Sequence, residues 1–315
     1  MISYLFALLG AIANATGNVL NRKASRDEPA EDRFRLRLVA DLMRTPTWLA
    51  AVGLMTTSFI LAGIALGTGE LASVQFIVIL ELPMTLIGGS IVLGGRLSRN
   101  EWVAMAAMTA GVLGLLAILD PKAGPSSTVP PILWILASAA NGGALIAVFL
   151  AARAQPIPAV QAALLGVAAG LGYGLTAAFT KGFADLYSAG GLSAIFESWQ
   201  LYATIAAGLT SLWLLQNAYN AGTLAAAQPG ITLVDPVVST CWGVLVFGEN
   251  VREGPILWLT ALPLIALCTG AVMLSRSPIL HAAQGVTEHA EQHQALRTAG
   301  SGGRGWPATG GGDGG

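Results

Sequence analysis

Nine stretches of about 20 residues, each nearly free of charge, follow one another along the chain, and each is long enough to cross a hydrocarbon core about 30 Å thick. They fall near 2–20, 48–66, 71–94, 102–119, 131–152, 158–180, 201–218, 223–247 and 256–274. No water reaches the middle of a bilayer, so a spanning backbone must pair its own polar groups. That leaves helices or a closed barrel, and runs this continuously apolar lack the alternation of barrel strands. The chain is 10% charged, well below the roughly 25% of soluble domains. These features predict an all-α membrane protein of about nine transmembrane helices.

Charge placement carries the next inference. The segment 21–47 holds Arg22, Lys23, Arg26, Arg33, Arg35, Arg37 and Arg44. With nine spans, Arg96, Arg99, Arg153, Arg276, Arg297 and Arg304 lie on the same side, and only Lys122, Lys181 and Arg252 lie on the other. Basic residues accumulate on the cytoplasmic side. The expected location is therefore the inner or plasma membrane, with the N-terminus outside and the C-terminus cytoplasmic. The first run lacks the basic start of a cleavable signal and counts as a span. A net charge of −1 argues against a nucleic-acid partner, and the partner the composition demands is the lipid bilayer. Cys241 and Cys268 lie inside apolar runs and read as packing residues.

Between the first two spans, Phe34, Leu38, Val39, Leu42 and Met43 share a helical face opposite Arg33, Arg37 and Arg44. That pattern predicts an interfacial helix near 31–45. Residues 276–315 lose the apolar runs and end in glycines, predicting a disordered cytoplasmic tail. The expected organisation is a first transmembrane repeat over 1–119, a second over 120–275 with one extra linking helix, and the tail.

The repeat is visible in the residues. Ala7-Leu8-Leu9-Gly10 reappears as Ala163-Leu164-Leu165-Gly166. The third span opens Gly69 to Gln75, the eighth opens Gly222 to Gln228, and in that register Pro83 falls on Pro236 and Gly95 on Gly248. An offset of five spans turns the copies opposite ways in the membrane. Inverted repeats of this kind hold solutes near the midplane, where the halves meet.

Acids inside spans are the residues that most demand an explanation. A lone carboxylate at the bilayer centre costs about 3 kcal/mol, so it faces a cavity or a partner. Glu81 and Asp235 lie near the middle of the third and eighth spans, beside Pro83 and Pro236. Proline removes a backbone donor, so both prolines are expected to break or loosen their helices and free carbonyls next to the acids. Gln228, Thr232 and Asp235 share one face of the eighth span, and Asn14 and Asn18 share one stripe of the first. These residues form the candidate solute or ion site, with Glu81 and Asp235 as the metal-binding pair if the solute is a metal ion. Gly166, Gly170 and Gly174, four apart, read as a close helix-packing face.

From Leu233 to Asn250 the chain carries a mid-helix proline, an apolar run and the pair Gly248-Glu249; Pro83 to Gly95 and Arg96 repeat the element with Arg in place of Glu. This arrangement resembles the drug/metabolite transporter superfamily in its EamA-like form. Nine spans with an external N-terminus, one fewer than the usual ten, is similar to its NIPA-type magnesium transporter branch. The resemblance implies a secondary transporter working by alternating access, without a cofactor, in which Glu81 and Asp235 hold a cation such as magnesium. Magnesium takes one or two carboxylates and keeps several waters, and about 100 mV would drive a divalent ion inward by roughly 4–5 kcal/mol. Ten-span relatives export metabolites or drugs with protons, and the same acids serve that alternative. A membrane-embedded lipid enzyme would need a catalytic cluster that the spans lack, and a scaffold without transport is the remaining alternative. Oligomeric state is not legible here.

Overall fold

A computed structural model of the chain describes residues 2–26, 45–93, 96–122, 129–222, 224–252 and 254–277. The interfacial helix expected near 31–45, but for Thr45, and the tail expected over 276–315, but for its first two residues, lie outside the described residues. Among the described residues every extended element is helical, and the one β contact is an isolated bridge between Lys122 and Asn250. In order the helices are α1 (Ile2–Arg26), α2 (Pro46–Thr68), α3 (Leu71–Val78), α4 (Glu81–Leu93), α5 (Arg99–Leu119) and α6 (Pro131–Arg153). They continue with α7 (Pro158–Glu197), α8 (Trp199–Ala221), α9 (Leu224–Leu245), a 3-10 turn (Pro255–Thr260) and α10 (Ala261–Leu274).

Seven spans among the described residues are long and apolar enough to cross a membrane: α1, α2, α3 with α4, α5, α6, most of α7, and the 3-10 turn with α10. The chain is thus an all-α, multi-pass membrane protein. Helices α8 and α9 have comparable lengths, 23 and 22 residues, but fall outside that set.

Helix starts follow local chemistry. Prolines open α2, α6 and α7 in the first turn, where a missing N–H costs no hydrogen bond. Helix α5 opens with a capping box: Ser98 accepts from the Glu101 amide, and Glu101 accepts from the Ser98 amide. Asp120, in left-handed conformation, ends that helix. The long α7 runs past the expected end of its span at 180 and is broken at Gly191, whose φ of 66° favours glycine.

Two departures from the expected break points concern the prolines. The third span is broken, but at Ile79–Leu80, a turn before Pro83. In a continuous helix the Ile79 carbonyl would receive the amide of residue 83, which proline lacks; it takes the Leu82 amide at 3.2 Å instead. Helix α9, by contrast, is continuous through Pro229 and Pro236, so the expected break at Pro236 is not found. Packing explains the difference, because α9 lies flat against α7. A Cβ at Gly170 would stand 2.9 Å from Val234 Cβ, and one at Gly174 3.2 Å from the Asp235 carbonyl. Gly166, Gly170 and Gly174 therefore let the two backbones meet along α9.

Burial ranks the helices. The α3–α4 and α7 spans are 67% and 61% buried, whereas α6 is 6% buried, which puts the first two at the centre and α6 at the lipid-facing edge. Helix α1 packs on α2 and α4, α7 on α8 and α9, and α5 on α10. The α5–α10 contact is reciprocal: a Cβ at Gly111 would meet Pro263 and Leu267, and one at Gly270 would meet Ala104 and Met108.

Candidate functional site

The break before Glu81 gives the site its first feature. It places Glu81 in the first turn of α4, where the positive end of the helix dipole favours a carboxylate. Asn18 of α1 donates from Nδ2 to Glu81 Oε1 at 3.1 Å, and Asn14, one turn earlier, donates to the same carboxylate. The asparagine stripe and the third-span acid thus form one polar cluster. Each of the three keeps partial exposure.

Asp235 lies mid-way along α9, also partly exposed, and accepts from Ser239 Oγ one turn on at 3.2 Å. Tyr173 of α7 lies in the electrostatic field of both Asp235 and Glu81. Gln228 Nε2 donates to Thr232 Oγ1 at 3.4 Å, both side chains buried; that bond involves neither acid. Thr85 is buried one turn beyond Glu81. Glu70, which shares a face with Glu81 in an unbroken helix, instead precedes α3 as its N-cap. Asn21 follows Asn18 by three residues on α1, and its side chain is outside the described residues.

Helices α1 and α7 furnish the site differently. The register that aligns Gly10 with Gly166 sets Asn14 opposite Gly170 and Asn18 opposite Gly174. In α7 those positions admit the α9 backbone; in α1 they carry amides to Glu81. Helix α7 is closed by packing, and α1 is lined with hydrogen-bonding groups.

Two further groups stand at the end of the bundle near Lys122. Lys181 donates to the carbonyls of Leu66 and Gly69 at 3.1 and 3.0 Å and pairs with Asp185 at 3.4 Å. Glu249 accepts from the amides of Leu71 and Ala72, the latter at 3.2 Å. Below them Trp134 meets Phe179, Trp199, Trp242 and Phe247 with ring centroids 5.3–5.9 Å apart. The Trp242 indole faces the Asn141 amide oxygen at 3.0 Å once that amide is oriented to satisfy both its groups.

Sequence reasoning missed Tyr173, Lys181 and Glu249 as parts of any site. Tyr173 stands between Gly170 and Gly174, a polar group on a packing face, and that placement was the available signal. Among the described residues no group of three or more His, Cys, Asp or Glu side chains could hold a metal ion.

Fold and site together define a multi-pass helical membrane protein whose bundle holds two acids, each with a neutral hydrogen-bond donor. The chain matches no protein-family model, and no solved structure matches it. It is similar, at 26% identity over 286 residues, to an uncharacterized protein of Corynebacterium glutamicum, an alignment covering 90% of this chain and 97% of the relative.

Proposed function

We propose that the chain is a secondary transporter of the cell membrane that moves a small polar solute or cation by alternating access, with Glu81 and Asp235 as its working acids. The observation that carries the reading is that two carboxylates stand within the helical bundle, each hydrogen-bonded by a neutral side chain, Asn18 to Glu81 and Ser239 to Asp235. A carboxylate buried among apolar helices is costly unless it faces a cavity or a partner. Here one has amide donors and the other a hydroxyl, and both remain partly exposed. Asn14, Asn18, Tyr173 and Ser239 add the donors and acceptors that orient a polar solute.

The reciprocal α5–α10 contact supports the inverted-repeat reading. Gly111 and Gly270, Met108 and Leu267, and Ala104 and Pro263 pair off at one constant separation, as a two-fold axis in the membrane plane requires. Nine spans, with the N-terminus outside and the C-terminus in the cytoplasm, belong to the same proposal. The resemblance to the drug/metabolite transporter superfamily fits it.

The solute has two candidate classes. Magnesium would be held through water by both acids. Proton-coupled movement of a metabolite is favoured by the separate housing of the acids, since each meets neutral donors of its own half and is free to take up a proton alone. Purified protein in liposomes distinguishes them. Magnesium uptake that grows with an inside-negative potential and vanishes in Asp235→Asn supports the first. Solute-dependent proton flux that vanishes in the same variant supports the second. Folded protein that supports neither flux across a broad screen of metabolites refutes transport.

A further inference from the structure

The turn between α2 and α3 is held by two ions of opposite sign, each placed on the helix end that suits it. The last carbonyls of a helix and the first amides of the next lack partners within their helices, and the dipole favours a cation at the first and an anion at the second. Lys181 of α7 takes the carbonyls of Leu66 and Gly69 at the end of α2. Glu249, just beyond α9, takes the amides of Leu71 and Ala72 at the start of α3. The Lys181 ammonium also lies 5.4 Å from the centre of the Phe247 ring, and its side chain is 12% exposed. Glu249 is 3% exposed, and a Cβ at Gly243 would strike its carboxylate, so the space for it is built into α9. Apart from the Lys181–Asp185 pair within α7 and the Lys181–Phe247 contact, the bonds of this clasp join residues 66–72 to α7 or to the end of α9, that is, one half of the chain to the other.

We infer that Lys181 and Glu249 form a latch that closes the bundle at its Lys122 end and must release for the site around Glu81 and Asp235 to open there. The latch rests on the transporter reading and supplies its gate. Its position follows from the connectivity: α3 leads directly into the break that presents Glu81, so freeing the start of α3 frees the wall of the site. Ser73, buried in α3 immediately below the latch and bonded to Tyr4 at 3.4 Å, reports that movement.

The experiment uses full-length protein in liposomes with Cys241 and Cys268 replaced and a single reporter, Ser73→Cys. A membrane-impermeant maleimide is applied on the Lys122 side. Lys181→Met is expected to speed labelling about tenfold to a hundredfold, the weight of losing charge-assisted hydrogen bonds. Glu249→Gln, which keeps the shape and one acceptor, should speed it by a smaller factor. Lys181→Arg, which retains the charge, should label as slowly as the parent. Equal labelling rates in the parent, Lys181→Met and Glu249→Gln, all monodisperse in detergent, overturn the latch. Faster labelling in a protein that moves no solute keeps the latch as an opening device and sinks the transport reading. Intact transport with unresponsive labelling does the reverse.

Discussion

Replacing Gly111 or Gly270 with alanine probes the packing that joins the two ends of the chain. At Gly111 the added methyl would stand 2.7 Å from the Pro263 carbonyl oxygen and 2.8 Å from the Leu267 amide nitrogen. At Gly270 it would stand 2.6 Å from Met108 Cγ and 2.7 Å from the Ala104 carbonyl oxygen. Most of these neighbours are backbone atoms, which cannot rotate aside, so α5 and α10 must separate by several tenths of an ångström. Overpacking of this kind costs about 1–3 kcal/mol. Alanine recovers up to about 1 kcal/mol over glycine as a helix former, leaving a net loss of up to about 2 kcal/mol for each variant when that gain is full. Gly142 and Gly143 on α6 have nothing within 4 Å of an added Cβ, so alanine there should be neutral or stabilising by up to about 1 kcal/mol. Because the contact is reciprocal, separating the helices once relieves both clashes. The double variant should therefore cost less than the two singles together by about 0.5 kcal/mol or more. Equilibrium unfolding by SDS in mixed micelles, followed by tryptophan fluorescence, measures the five variants against the parent. If Gly111→Ala behaves like Gly142→Ala, the close approach is wrong. If the double variant is additive, the reciprocity is wrong.

Three further outcomes are expected. Glu81→Gln and Asp235→Asn should each abolish flux in liposomes while leaving expression and monodispersity at parental levels; parental flux in both removes the acids from the site. Burial pushes the Glu249 carboxyl above its ordinary 4.5, with the Leu71 and Ala72 amides offsetting part of the rise. The folded form then holds that proton more tightly than the unfolded, so stability should fall as pH rises from about 4.5 through the folded value. Glu249→Gln should lack that part of the slope, and a melting-temperature profile from pH 4 to 8 that is identical in parent and variant contradicts it. Single cysteines at Lys122 and Arg153 should be labelled by an impermeant reagent from outside and inside the cell respectively; the reverse pattern would invert the proposed orientation.

How much of this was legible beforehand follows from what a bilayer demands. Residue runs such as 48–66 and 131–152 are read directly, because hydrocarbon thickness sets a minimum length and the absence of water forces a helix within each run. The helices at α2 and α6 cover those runs, and their opening prolines are local signals too. The weaker runs were harder: 201–218 and 223–247 fold as helices yet are not among the seven candidate spans, because Gln, Asn, Thr and Pro dilute them.

For the site, the sequence by itself determined which residues are out of place in lipid: Asn14, Asn18, Glu81 and Asp235 stand out wherever the chain folds. Only the tertiary structure decided their partners. Asn18 meets Glu81 across 63 residues, Lys181 meets Leu66 across 115, and Glu249 meets Leu71 across 178. Whether a proline breaks its helix was likewise decided by the neighbour: the turn before Pro83 opens, whereas α9 stays continuous through Pro236 against the glycines of α7. Cost of burial is a property of each residue and its near neighbours, so a linear chain displays it. Relief of that cost depends on which helices pack together, and that is settled only when the whole bundle closes.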